Sequence, residues 1–240
     1  LMEILYTPKQ INLPTTISIG TFDGVHRGHR FVIEYANELA KRYQYTNMII
    51  TFDPHPRFVL AKEIQAHFLL TTLEEKLEIL SRMPVDIVYI QKFTKEFSQL
   101  TPEGFIKILK ENFNMKALVM GYDHSFGVNR SGSYEDIKAL SYKYNFFLYK
   151  FQPFVDDGVF ISSTKIRNLL IKGFVSEANK LLGYNYFIKG RVIEGSKIGR
   201  QLGFPTANIG EIADEKIIPG SGVYIIRAFV EDEQYRGIMN

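Results

Sequence analysis

In the first part of the chain, short apolar runs alternate with longer segments whose apolar residues recur at helical spacing. The runs Thr16–Ile19 and Met48–Phe52 stop at Gly20 and at Asp53-Pro54. Between them, Gly28–Tyr43 has the apolar spacing of an amphipathic helix. Strands that alternate with helices predict an α/β fold, a parallel sheet with helices on both faces. In such sheets the ligand binds outside the carboxyl ends of the strands.

The same alternation continues to about residue 182 and then changes. Further strands are predicted at Val85–Ile90, Ala117–Met120 and Phe146–Phe151. Further helices are predicted from a Thr101-Pro102-Glu103 start and at Leu73–Arg82, Tyr134–Tyr144, Ser163–Lys172 and Ser176–Leu182. After about Tyr184 only strand-like runs remain, at Tyr186–Glu194, Gly222–Val230 and Tyr235–Asn240. We therefore expect two domains, residues 1–184 and a β-rich domain at residues 185–240.

Composition excludes several classes of function. The chain has no cysteine, which rules out disulfides and cysteine nucleophiles and is consistent with the cytoplasm. Its net charge of +3 comes without a basic block, so no nucleic-acid partner is expected. The absence of a long apolar run predicts no membrane span. The oligomeric state stays open.

The segment Gly20–His29 carries the densest group of candidate site residues, where the first strand passes into the first helix. Glycine lets a backbone approach a ligand closely, and a helix start offers N–H groups suited to phosphate. His26 and His29 lie three residues apart and could both donate to one phosphate group. Chance spacing and half of a metal site are the alternatives. The surrounding glycines and Asp23 favour phosphate.

Two further segments follow predicted strands of the same sheet. His55 lies between two prolines in Phe52–Pro56, where a rigid turn is the simpler interpretation. The Gly121–Gly132 segment combines aromatic residues, an Asp and an Arg, which suits a nucleotide. It could also be only a connection.

The last two segments contain hydroxyl and amide side chains. In Ile161–Arg167 the Ser and Thr residues could simply cap a helix, but three hydroxyls and Arg167 could also hold a triphosphate. In Gly199–Asn208, Thr206 and Asn208 could supply oxygen ligands to Mg²⁺. A β-turn around Pro205 is the alternative.

Taken in order, these segments resemble the motifs of the bacterial bifunctional riboflavin kinase/FMN adenylyltransferases, also called FAD synthetases. Gly20–His29 is similar to the adenylyltransferase motif Gly-x-Phe-Asp-Gly-x-His-x-Gly-His, and Phe52–Pro56 to Phe-x-Pro-His-Pro. Gly121–Gly132 resembles the family's Gly-x-Asp-aromatic-x-Phe-Gly loop, with His124 at the aromatic position. Ile161–Arg167 resembles Ile-Ser-Ser-Thr-x-Ile-Arg, and residues 205–208 match the kinase element Pro-Thr-Ala-Asn.

The resemblance implies a fold and two activities. The first domain would be a nucleotidyltransferase-type α/β fold that moves AMP from ATP to FMN, giving FAD and pyrophosphate. The second would be a small antiparallel β-barrel that phosphorylates riboflavin with ATP. Mg²⁺ would neutralise the charge of ATP, and the partners would be small-molecule nucleotides and flavins.

The resemblance also implies roles for individual residues. The catalytic residues would be His26, His29 and Arg167. The nucleotide-binding residues would be Gly20, Phe22, Asp23, Gly28, Gly121, Asp123, Ser162, Ser163 and Thr164. His55, Phe126 and Arg130 would contact flavin or phosphate. In the kinase module Gly195, Thr206 and Asn208 would hold ATP and Mg²⁺, the last two as metal ligands.

Two other functions remain open on the sequence. One is a nucleotidyltransferase of the same fold that acts on another phosphorylated acceptor, although the Pro-Thr-Ala-Asn element argues against it. The other is a non-catalytic relative that binds a flavin or nucleotide. The intact histidine pair argues against that alternative, and the effect of His29→Ala on FAD synthesis would separate it from the FMN adenylyltransferase.

The kinase half generates a prediction. In the family a catalytic Glu lies beyond the Thr-x-Asn element, after a segment that would begin where Gly237–Asn240 ends this sequence. We expect the natural chain to continue past this point. The 240-residue chain is therefore expected not to convert riboflavin to FMN with ATP and Mg²⁺. Chromatography of the flavins after incubation checks this, and any ATP-dependent FMN formation would contradict it.

Overall fold

The computed structural model describes residues 1–61, 67–121, 133–151, 155–156, 159–195, 203, 206–231 and 233–240. The chain divides into two compact units. The first contains Leu1–Gln65 and Thr71–Ser162, and the second contains Ala66–Leu70 and Ser163–Asn240. The domain boundary at residue 184 stays a prediction.

The first unit is built on a six-stranded parallel sheet, as the alternating pattern predicted. Its strands are β1 (Glu3–Leu5), β2 (Thr15–Ile19), β3 (Thr46–Asp53), β4 (Ile87–Lys92), β5 (Met115–Met120) and β6 (Phe147–Lys150). Their spatial order is β1-β4-β3-β2-β5-β6. The edge strand β1 was not predicted, because three residues are too few to show a period. Two short strands, β7 (Val155–Asp156) and β8 (Val159–Phe160), pair antiparallel.

Helices of the first unit cover both faces of this sheet. They are α1 (Arg27–Tyr43), α2 (Pro56–Leu60), α3 (Leu73–Ser81), α4 (Lys95–Ser98), α5 (Pro102–Phe113) and α6 (Tyr134–Tyr144). Phe105, Leu109 and Phe113 of α5 join the core on one face. On the other face, Ala36 and Leu39 of α1 pack with Val119 of β5. All five residues of β2 are buried, as expected of a central strand covered on both sides.

The second unit contains two helices and antiparallel strand pairs. Its elements are α7 (Ser163–Ile171), α8 (Val175–Leu182), β9 (Arg191–Ile193), β10 (Asn208–Gly210), β11 (Tyr224–Val230) and β12 (Glu233–Met239). β9 pairs with β10 and β11 pairs with β12. These pairs agree with the predicted β-rich region, and closure into a barrel stays a prediction. No helix in the described part of the chain combines the length and hydropathy needed to cross a membrane.

The junction of α5 and α6 gives a stability prediction. Glu103 of α5 accepts hydrogen bonds from the Tyr144 hydroxyl and, at 2.9 Å, from the Lys143 ammonium. The Tyr144 hydrogen bond, followed by that of Lys143, lowers the pKa of Glu103 below its usual 4.5. A lowered carboxyl pKa stabilises the fold above the unfolded value, and this contribution is lost as pH falls through the folded value. Glu103→Gln is therefore expected to lower the free energy of unfolding at neutral pH.

Urea unfolding of both proteins at neutral and at acidic pH measures this effect. The difference between wild type and Glu103→Gln should shrink as the carboxylate of the wild type becomes protonated. Glu111→Gln makes the same change at an exposed position of α5 and serves as the control. A difference that is constant with pH would show that the carboxylate charge plays no part.

Candidate active site at the carboxyl edge of the sheet

Three neighbouring strands of the parallel sheet end beside candidate site residues. β2 lies between β3 and β5, so the carboxyl ends of these strands meet at one edge. His26 and His29 follow β2, His55 follows β3, and Gly121 comes directly after β5. The structure thus brings three of the predicted segments to the edge where α/β sheets bind ligands.

The turn from β2 into α1 contains unusual backbone angles. Gly20, at the end of β2, donates its N–H to Ile50 of β3 at 3.0 Å. Phe22, Gly24 and Val25 then have φ angles of 47°, 81° and 36°. The left-handed conformation costs a non-glycine residue about 1–2 kcal/mol, so Phe22 and Val25 must be held in place by their surroundings.

Asp23 and Thr71 support this turn through two buried hydrogen bonds. The Thr71 N–H donates to Asp23 Oδ1 at 3.1 Å, and the Gly24 N–H donates to Thr71 Oγ1 at 3.0 Å. Asp23 is only 1% exposed. The structure therefore gives the Asp23 carboxylate a supporting role inside the protein, while its predicted contact with the nucleotide stays a prediction.

His26 is the N-cap of α1. Its Nδ1 accepts a hydrogen bond from the His29 N–H at 3.3 Å. A neutral imidazole that accepts at Nδ1 carries its proton at Nε2, so the capping bond selects the tautomer. His26 can therefore donate through Nε2 only. Gly28 lies in the first turn of the same helix, where the helix dipole favours negative charge.

The ring of His29 stacks on that of His26. The ring centroids are 3.6 Å apart and the planes differ by 16°. Phe22 contacts His29 edge-on, with the centroids 5.3 Å apart. The side chain of Phe22 thus packs beside the histidine pair, and its contact with a nucleotide stays a prediction.

His55 repeats the capping arrangement on the adjacent strand. It is the N-cap of α2, and its Nδ1 accepts from the Arg57 N–H at 3.1 Å. The sequence identified the prolines around His55 but not this cap. Two neighbouring strands therefore lead into histidines that share the same tautomer and precede a helix.

Sequence reasoning did not identify Lys76 of α3. This side chain is 5% exposed, and its Nζ donates to Thr51 Oγ1 at 3.2 Å. Burial lowers the pKa of Lys76, and the nearby charges of Asp23 and Asp53 partly oppose this shift. One feature of the sequence could have indicated the burial of Lys76. Lys76 lies three and four residues before the buried Ile79 and Leu80, on the apolar side of α3.

Arg167 and Thr164 come together on α7 in the second unit. Arg167 Nε donates to the Phe68 carbonyl at 3.0 Å, and its guanidinium lies 3.9 Å from the centroid of the Phe68 ring. Its NH1 reaches Thr164 Oγ1 at 3.5 Å. Ser163 begins α7 and Ser162 precedes it. That these side chains and the histidine pair bind the same ATP stays a prediction.

In the β-rich region Gly195 and Asn208 are neighbours. A Cβ atom on Gly195 would lie 1.7 Å from Asn208 Nδ2, so a side chain at position 195 would require the Asn208 amide to move. Asn208 begins β10, and Thr206 comes two residues earlier, both exposed. Their oxygens suit Mg²⁺, which keeps several waters and substrate phosphates as ligands.

Asp123, Phe126 and Arg130 lie outside the described residues.

Two family models match this chain. The family model described as FAD synthetase matches residues 9–165, and that described as riboflavin kinase matches residues 182–240. A bifunctional riboflavin kinase/FMN adenylyltransferase of Listeria monocytogenes is 37% identical over 97% of this chain and 73% of its own length. The Bacillus subtilis protein of the same name is 36% identical with the same coverage.

A solved structure has the same fold. It is described as a macrolide-efflux protein from Streptococcus pneumoniae and aligns with a TM-score of 0.85 at 29% identity. The alignment covers 98% of this chain and 77% of that one.

The parallel sheet with a histidine-capped helix at its carboxyl edge defines a nucleotidyltransferase-type α/β protein with an added β-rich module. More specifically, the two family matches and the curated relatives show that the chain belongs to the bifunctional riboflavin kinase/FMN adenylyltransferase family. The resemblance inferred from the motifs is thereby confirmed.

The support of the turn by Thr71 can be tested by a change of similar shape. Thr71→Val removes the buried acceptor of the Gly24 N–H and is expected to lower the free energy of unfolding by about 1–3 kcal/mol. Urea unfolding followed by circular dichroism measures this loss. Thr7→Val, at an exposed position, is the control. Equal unfolding curves for Thr71→Val and wild type would exclude the supporting role.

Proposed function

We propose that this chain transfers the adenylyl group of ATP to the phosphate of FMN and forms FAD and pyrophosphate. The observation that carries the proposal is the stacked His26–His29 pair at the start of α1. It lies at the carboxyl edge of a parallel sheet, in a chain that belongs to this enzyme family. The match to riboflavin kinase favours a flavin acceptor over other phosphorylated acceptors.

The reaction needs no nucleophile from the protein. A phosphate oxygen of FMN attacks the α-phosphorus of ATP, and the bond from that phosphorus to the bridging oxygen of the β-phosphate breaks. Pyrophosphate leaves with the electron pair. Catalysis of such a transfer depends on alignment of the reactants and on stabilisation of the charge that develops on the phosphates.

The first unit supplies groups suited to that task. The Nε2–H of His26 is a donor whose tautomer is fixed by its cap, and the α1 N-terminus adds a positive dipole. His29 lies against His26 and donates beside it. His55 would act near the phosphates, and the segment from Gly121 would contact the nucleotide. Arg167 and the adjacent hydroxyls would bind the leaving pyrophosphate.

The second module is proposed to be the N-terminal part of a riboflavin kinase domain, the kind of domain that phosphorylates riboflavin to FMN in the full-length family pattern. Its family match supports this assignment. Thr206 and Asn208 would contribute oxygen ligands to Mg²⁺, which when bound neutralises part of the phosphate charge. Because ATP and flavin nucleotides are cytoplasmic metabolites, the proposed place of action is the cytoplasm.

His29→Ala tests the proposal most directly. The His29 backbone N–H, not its side chain, donates to His26, so the cap of α1 can persist in this variant. Loss of one transition-state donor is expected to lower kcat for FAD formation by about a hundredfold or more. The measurement is chromatography of FAD and assay of pyrophosphate with FMN as acceptor.

Glu38→Ala, at an exposed position of the same helix, controls for truncation of an α1 side chain and should retain the wild-type rate. Wild-type kcat in His29→Ala would refute the catalytic assignment of His29. Absence of FAD and pyrophosphate with the wild-type chain would instead refute the proposed activity.

A further inference from the structure

We propose that Lys76, a residue outside the predicted site, is a positioning residue that holds the left-handed turn before His26 and thereby sets the His26–His29 pair. The inference rests on the proposed adenylyltransferase function and adds a residue to it. All the contacts that carry it lie within the first compact unit.

The first step is a directed chain of hydrogen bonds. The Lys76 ammonium can only donate, so Thr51 Oγ1 accepts from it at 3.2 Å. The hydroxyl hydrogen of Thr51 must then be donated to a different acceptor. This acceptor is the Thr21 carbonyl, at 3.1 Å. Lys76 therefore fixes the direction of the Thr51 hydroxyl and, through it, the position of the peptide that begins the turn.

The second step is electrostatic. The carboxylates of Asp23 and Asp53 act on the Lys76 ammonium as opposite charges. Asp23 is itself 1% exposed and belongs to the turn. A buried carboxylate is costly without a compensating charge or hydrogen bonds. Lys76 provides the charge, while the Thr71 N–H provides a hydrogen bond.

The third step links the turn to the histidines. Thr21 and Asp23 flank Phe22, whose φ angle is 47° and whose ring contacts His29. A displacement of these two neighbours moves Phe22 and, with it, the ring against which His29 packs. Since a misplacement of about 1 Å can cost on the order of a hundredfold in rate, Lys76 can affect the reaction without touching substrate.

Two single variants and their combination test this series of hydrogen bonds. Lys76→Met removes the ammonium and keeps an unbranched side chain, and Thr51→Val removes the hydroxyl and keeps the shape. Each is expected to lower kcat for FAD formation by about tenfold or more, with smaller changes in KM for ATP and FMN. The double variant should be no slower than Lys76→Met, because both changes break the same series of hydrogen bonds.

The thermal midpoint of each variant and the control Lys138→Met, exposed on α6, separate positioning from loss of fold. A folded Lys76→Met with wild-type kcat, or losses that multiply in the double variant, would overturn the proposal. If Lys76→Met does not fold, the kcat of Thr51→Val is the test of the proposal. An unchanged kcat in Thr51→Val then overturns the proposal.

The imidazole NMR signals give a readout that does not depend on activity. In Thr51→Val the signals of His26 and His29 should shift while that of His67 stays in place. Unshifted His26 and His29 signals would overturn the positioning role. If the wild-type chain makes no FAD, the proposed function has failed, and this measurement still tests Lys76.

Discussion

The candidate site of the first unit depends on the turn that connects β2 to α1. β2 ends at Ile19 at the carboxyl edge of the sheet, and α1 begins at Arg27. The turn between them uses left-handed angles at Phe22 and Val25, which only surrounding contacts can maintain. Those contacts come from sequence-distant elements, since Thr71 lies 48 residues beyond Asp23. The turn before the histidine pair is therefore held by contacts with a distant segment and not by its motif alone.

The two capping histidines show how the fold can orient hydrogen-bond donors at the candidate site. A Ser or Asp at the N-cap would satisfy the helix equally well. Histidine at this position satisfies the helix with Nδ1 and keeps an N–H donor at the opposite side of the ring, as His26 and His55 do. The same bond that begins the helix thus selects the protonated nitrogen. Because phosphate transfer requires donors that are already oriented, the cap would lower the reorganisation needed during the proposed reaction.

The sequence predicted the parallel sheet and most of its helices because their apolar periods extend over many residues. It did not predict α2, α4 or β1, which are too short to show a period. Two of the motifs placed His26, His29 and His55 after predicted strands, and the structure shows these strands ending at the carboxyl edge. The motifs could not reveal that Asp23 faces Thr71 or that Lys76 donates to Thr51, since both contacts join residues distant in sequence. A charged residue on the apolar side of a helix was the one available signal for Lys76.

The candidate phosphate-binding groups of the two modules differ in kind. At the carboxyl edge of the parallel sheet, helix N-termini and histidine donors converge on one place because the strands run in the same direction. β9 and β10 pair antiparallel, so their neighbouring strand ends point in opposite directions. The exposed candidates of the β-rich module, Thr206 and Asn208, are neutral oxygen donors. Under the proposed assignment, such donors would act on phosphate through Mg²⁺, which takes oxygen ligands together with substrate phosphates.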